Sequence, residues 1–279
     1  MACRRTDVAQ EAADELMAES PRGSIEVMAL DLGDLASVRA FAAAFLSSHD
    51  RLDALVNNAG VMKTPQGTTT DGFEWQMGVN HLGHFLLTEQ LLDCLKASAP
   101  SRIIILSSCF HDKAFGREGE IRFEDLHFQD RAYDGWEAYA QSKLANLLHA
   151  KELARRLEGS GVTAVSVHPG WVRTQLVRHS SGPIWIQNTL LRPLFALMGQ
   201  IDEWDGAQTT LHCLLDDDVA NHGGAYFSQV GLYRDKSCNP GGWPLRSPNP
   251  QAHLEDVSSR LWEVSAEAVG SRVSPPMGS

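Results

Sequence analysis

The chain has 279 residues, 43% of them hydrophobic, enough for one α/β domain around a sizeable core. Its 24 Lys+Arg face 35 Asp+Glu, and the formal net charge of -11 argues against nucleic acid and anionic membrane surfaces as partners. Cys3, Cys94, Cys109, Cys213 and Cys238 are scattered with no Cys-x-x-Cys, which reads as reduced thiols and not as a disulfide frame or zinc site.

No stretch reaches the roughly 18 apolar residues of a membrane span, and no signal-peptide pattern opens the chain. In chain order, a polar helix is expected from Thr6 to about Ser20, capped by Thr6 or Asp7 and ended by Pro21-Arg-Gly23. A strand follows at Ile25–Asp31, then a helix around Ala36–Ser48 and a buried strand at Leu52–Asn58. Lys63–Gly67 is a turn-rich loop, and Asp71 caps a long helix to about Lys96 that carries Asn80. The apolar strand Arg102–Ser108 leads into a polar, irregular insertion near Cys109–Asp134. A helix then runs from about Trp136 to Leu157, stopped by Gly159-Ser-Gly161, and the strand Val162–Val167 ends at His168-Pro169-Gly170. Beyond a stretch rich in Leu, Phe and Trp come a helix at Trp204–Leu215, a strand at Gly224–Ser228, a Pro/Gly-rich loop at Tyr233–Pro250 and a last amphipathic helix at His253–Val269.

Tyr139 and Lys143 lie four residues apart on the Trp136–Leu157 helix, so they share one face. A lysine charge beside a phenol is expected to stabilise the phenolate and lower a pKa of about 10 towards the working pH. Such a phenol can give a proton to a carbonyl, or take one from an alcohol, while a hydride moves elsewhere. His81 and His84, three residues apart with no nearby carboxylate, look like packing or surface residues and not metal ligands.

The ordered set Val56-Asn-Asn58-Ala59-Gly60, Asn80-His-Leu-Gly-His84, Leu106-Ser-Ser108, Tyr139-Ala-Gln-Ser-Lys143 and His168-Pro169-Gly170 resembles the short-chain dehydrogenase/reductase family over nearly the whole chain. The wording of Gly78–Thr88, Ser142–Asn146 and Glu152–Leu157 is similar to its retinol dehydrogenase branch. The resemblance implies a Rossmann-like doubly wound parallel sheet and an oxidoreductase that interconverts an alcohol and a carbonyl with NADP(H). It makes Tyr139 the acid/base, Lys143 its partner and a ligand of the nicotinamide ribose, Ser108 the hydroxyl that orients the substrate oxygen, and Asn80 the amide of a proton relay. Ser107 would face the other way, by two-fold alternation along the strand. Asp31 matches the residue that meets the adenine amine, and Asn58, Ala59 and Gly60 would line the adenosine side. Pro169 and Gly170 would offer backbone to the carboxamide, and Thr174 would bind phosphate or carboxamide. Arg4 resembles the basic residue that pairs with a 2′-phosphate, implying NADP(H) over NAD(H).

The resemblance further implies one domain over 1–270, a substrate lid at 171–205 for a bulky lipophilic alcohol or carbonyl such as a retinoid, and a disordered tail at 271–279. Family members open with a strand and a Thr-Gly-x-x-x-Gly-x-Gly turn at a helix N-terminus, where pyrophosphate is bound. These 279 residues contain no such turn, and Met1–Arg5 resembles the end of the family's second strand. The expected fold is therefore N-terminally truncated, lacking the first strand, the first helix and most of the second strand, about 30 to 40 residues. Three outcomes are open for the Ile25–Asp31 strand: to re-pair with Leu55–Asn58 through a right-handed crossover, to dangle, or to leave the core partly open. The alternative function is a catalytically impaired isoform acting as a dimerisation or interaction protein, as a homodimer or a heterodimer with a full-length relative. The expected place is cytoplasmic or peripherally membrane-associated, with a longer form anchored in a membrane.

Overall fold

In a computed structural model of the protein, residues 1–20, 22–172, 200–228 and 244–271 are described. Three isoleucines in a row, Ile103, Ile104 and Ile105, have no exposed surface, as a strand covered on both faces requires. They lie in β4 (Ser101–Leu106), inside a four-stranded parallel sheet with β3 (Ala54–Asn57), β7 (Val162–His168) and β10 (Tyr226–Ser228), in the order β10-β7-β4-β3. Two-fold alternation splits the strand between two cores. Ile103 and Ile105 join the larger one, built with Phe85, Leu86, Leu144, Leu148 and Trp262, while Ile104 and Leu106 join Val165, Val167, Cys213 and Phe227 on the opposite face.

Helices supply those faces. α1 (Thr6–Glu19) and α2 (Leu35–Ser48) precede β3; α3 (Trp75–Met77) passes through a π-helical turn at Gly78–Leu82 into α4 (Gly83–Ala97). α5 (Gly135–Arg156), α6 (Glu203–Leu215) and α7 (Glu255–Ala268) follow. α4, α5 and α7 form the larger core and α6 lies on the other face, a doubly wound arrangement. No described helix is long and apolar enough to cross a membrane.

Three expectations are corrected. The Ile25–Asp31 run contributes only β2 (Met28–Ala29), which pairs in parallel with β1 (Ala2–Cys3) in a separate two-stranded sheet and not with β3. Its partner is already at hand: Met28 N donates to Met1 O at 2.9 Å and Leu30 N to Cys3 O at 3.1 Å. α2 packs on α4 and holds the end of this ribbon there, where a Cβ on Gly83 would sit 2.4 Å from Leu32 O. Among the described residues no strand pairs with the outer edge of β3. The cap of α1 is Arg5, with no side-chain bond, and not Thr6 or Asp7. Asp71 does not cap the Asn80 helix; Glu74 does, accepting from the N–H groups of Gln76 and Met77, while Asp71 accepts from Leu35 N at the start of α2. The insertion contains a short hairpin of β5 (Lys113–Ala114) and β6 (Arg117–Glu118). The expected lid falls largely on 173–199 and the tail on 272–279, outside the described residues; Trp171–Val172 (β8) pairs with Gln200–Ile201 (β9).

The close approach at Gly83 gives a stability prediction. Gly83→Ala should overpack the Leu32 contact and destabilise the protein by about 2 kcal/mol, lowering Tm by several degrees. Thermal unfolding followed by circular dichroism checks it, and an unchanged Tm would count against the contact.

Candidate active site

Every residue of α5 from Ala138 to Ala150 is buried, so its polar side chains must find partners inside the protein. Asp134 starts the helix by accepting from the N–H groups of Trp136 and Glu137. Tyr139, Lys143 and Asn146 recur at helical spacing on the side facing the end of β4. Lys143 Nζ donates to Leu106 O at 3.0 Å, and Asn146 Nδ2 donates to the same carbonyl at 2.9 Å. Ser107 Oγ donates to Lys143 O at 2.7 Å, which locks the strand end to this helical turn.

The two serines divide as alternation requires. Ser108 is near enough to Tyr139 to bear on its phenol, and its Oγ accepts from Phe110 N at 3.2 Å. His111 steadies it from behind, its Nδ1 2.6 Å from Ser108 O and its Nε2 2.6 Å from Ser247 Oγ.

Burial raises the Tyr139 phenol well above its ordinary value, and the nearby Ser108 hydroxyl offsets only part of that. The same burial lowers Lys143 to about 8. The expected lysine-driven lowering of the phenol is thus corrected: Lys143 Nζ lies 5.8 Å from the ring centroid, and desolvation dominates both groups.

Asn80 occupies the π-helical turn, a distortion that recurs at functional sites. Its Oδ1 accepts from Val61 N at 2.8 Å, and its Nδ2 donates to Val61 O and Ser142 Oγ, both at 2.9 Å. A Cβ on Gly60 would stand 3.2 Å from Asn80 Oδ1 and 3.5 Å from Lys143 Nζ, so the chain after β3 passes closely between these two side chains. His81 and His84 are packing residues: His81 Nε2 meets Ser265 Oγ at 2.8 Å, and His84 Nδ1 meets Asn80 O at 2.9 Å.

A model of the short chain dehydrogenase family matches residues 1–117. Human retinol dehydrogenase 13 is 44% identical over 272 residues, covering 97% of this chain and 76% of that protein. Bovine retinol dehydrogenase 12 is 44% identical over 274 residues, covering 98% and 78%. A solved structure of a putative uncharacterized protein from Mycobacterium paratuberculosis is 33% identical, with a TM-score of 0.72 over 97% of this chain and 83% of that one. The chain belongs to the short-chain dehydrogenase family.

Two of the segments expected to hold the nicotinamide cofactor lie just past the ends of β3 and β7. Lys143 spends one of its three donors on Leu106 O, Asn58 and Ala59 are exposed just past β3, and Pro169 and Gly170 follow β7 with Gly170 at φ 95. Asp31 follows β2, its Oδ1 accepting from Gly33 N at 2.9 Å. Arg4 is exposed at the end of β1, on the ribbon and not on the four-stranded sheet. Thr174 lies outside the described residues. Sequence reasoning missed Asn146, His111 and the aromatic rings of Phe110 and Trp136 that border Tyr139. Asn146 carried a signal, seven residues from Tyr139 on the same helix face; His111 did not, because its partner Ser247 is 136 residues away.

The electrostatics predict a pH profile. Lys143 is depressed in the folded protein, so its ammonium is present below about pH 8 and lost as pH rises through that value, while Tyr139 keeps its proton throughout. For carbonyl reduction, kcat/KM should stay level below about pH 8 and descend above it. A profile level to about pH 10 would remove the charged lysine from the mechanism.

Proposed function

We propose that this oxidoreductase interconverts a lipophilic alcohol and its carbonyl, of retinol-like size and character, with NADP(H). One observation carries the reading: Tyr139 and Lys143 stand one turn apart on α5 in a buried site, with Lys143 Nζ 5.8 Å from the phenol ring centroid and held by Leu106 O at 3.0 Å. When bound, the dihydronicotinamide supplies hydride chemistry. The chain's own part in reduction is to orient the carbonyl oxygen with the Ser108 hydroxyl and protonate it from Tyr139. Lys143 then stabilises the phenolate that remains, and Asn80 holds the backbone beside Lys143 as part of the proton relay. Arg4, exposed at the end of β1, supports NADP(H) through its guanidinium. The names of the retinol dehydrogenase relatives support the substrate class. The chain would work in the cytoplasm or at a membrane surface.

A second reading, an impaired form that acts as a dimerisation or interaction protein, is favoured by the outer edge of β3, which no described strand pairs with. Calorimetric titration with NADPH separates the two, since binding by the folded protein supports the enzyme and its absence supports the partner. In retinal reduction, Tyr139→Phe should lower kcat by about a thousandfold while leaving NADPH affinity within about twofold. Unimpaired turnover in that variant would remove Tyr139 as the acid.

A further inference from the structure

An exposed phenylalanine sits where neither burial nor turn chemistry accounts for it. Phe115 is 65% exposed and has φ 48, at the tip of the β5–β6 hairpin, followed by Gly116 at φ 87. A two-residue hairpin loop with both φ values positive favours Asn-Gly or Asp-Gly, and a bulky aromatic ring at its first position is strained. Strained positions of this kind cluster where a side chain is held for function.

The ring is not isolated. Its centroid lies 4.7 Å from Trp136 and 5.3 Å from Phe110. Those two rings lie 5.7 Å apart and reach Tyr139 at 6.5 Å and 6.3 Å, each at an interplanar angle of 77°. An unbroken run of aromatic surface thus leads from solvent to the catalytic phenol.

Two further features fix this wall in place. Arg117 Nε donates to Asp134 Oδ2 at 2.8 Å, tying the hairpin to the residue that caps α5. Lys63, another non-glycine residue at φ 48, sets its ammonium 5.4 Å from the Trp136 ring centroid. Among the described residues, two of the three non-glycine residues with positive φ therefore lie against Trp136.

The geometry points to Phe115, with Trp136 and Phe110, as the platform on which the flat unsaturated body of the substrate stacks while its oxygen meets Tyr139 and Ser108. Phe115 is the residue that sets preference for conjugated over saturated chains, because a planar π-system gains offset stacking that an alkyl chain does not. This inference rests on the reading of Tyr139 as the acid.

The test uses Phe115→Asn, which removes the ring but suits a left-handed backbone, so the hairpin keeps its turn. With NADPH, the ratio of kcat/KM for all-trans-retinal to that for decanal should fall about tenfold from wild type, carried by KM. An unchanged ratio overturns the platform and leaves the oxidoreductase reading standing. If wild type reduces neither aldehyde, that reading fails, and quenching of tryptophan fluorescence by all-trans-retinol decides the platform alone. Weaker quenching in Phe115→Asn than in wild type supports it; equal quenching, or none in either protein, overturns it.

Discussion

The site depends on how a lysine ammonium is accommodated with only 5% of its surface exposed. Removing such a charge from water is costly unless a strong acceptor is fixed in place. Leu106 O, at the end of β4, is that acceptor, and Asn146 donates to it as well. Ser107 returns a bond from the strand to the carbonyl of Lys143 itself. These three bonds leave α5 little freedom to slide or rotate on the sheet, and the place of Tyr139, one turn earlier, follows from them.

A strand end can serve this way only if the strand is rigid. β4 is hydrogen-bonded on both sides, to β3 and β7, and buried on both faces, with Ile103 and Ile105 in one core and Ile104 and Leu106 in the other. The other side of the site is held by Asn80, whose amide clamps Val61 and Ser142 together from a π-helical turn. A regular α-helix in that place would turn residue 80 to another angle, so the distortion and the clamp belong together.

Much of this was legible from local patterns. Helical spacing put Tyr139 and Lys143 on one face, and strand alternation assigned Ser107 and Ser108 to different neighbours, because those periods belong to the backbone. What escaped was set by distant partners. Ile25–Asp31 has the composition of a full strand, but the length of a ladder is set by its mate, and β1 has two residues. Asp71 has the local grammar of a cap, yet its carboxylate reaches back 36 residues to Leu35 N. The hairpin carrying Phe115 hides in a polar stretch because its turn lacks the usual Asn or Asp before glycine. Residue spacing, finally, carries no information on desolvation, which is why the Tyr139 phenol is raised where a lowering was expected.

That reversal has a chemical meaning. Desolvation penalises phenolate and ammonium alike, so the resting site favours a neutral phenol and weakens the hold of the lysine on its proton. A phenol that resists ionisation is a poor base in isolation but remains a loaded acid at every physiological pH. In the proposed reduction, proton transfer to a carbonyl oxygen would leave a phenolate near an ammonium already fixed by Leu106 O, in surroundings of low dielectric where their attraction is strong. Under that proposal the stabilising interaction would grow as charge develops and be weak beforehand, the condition under which a binding interaction accelerates the chemical step instead of merely holding the substrate.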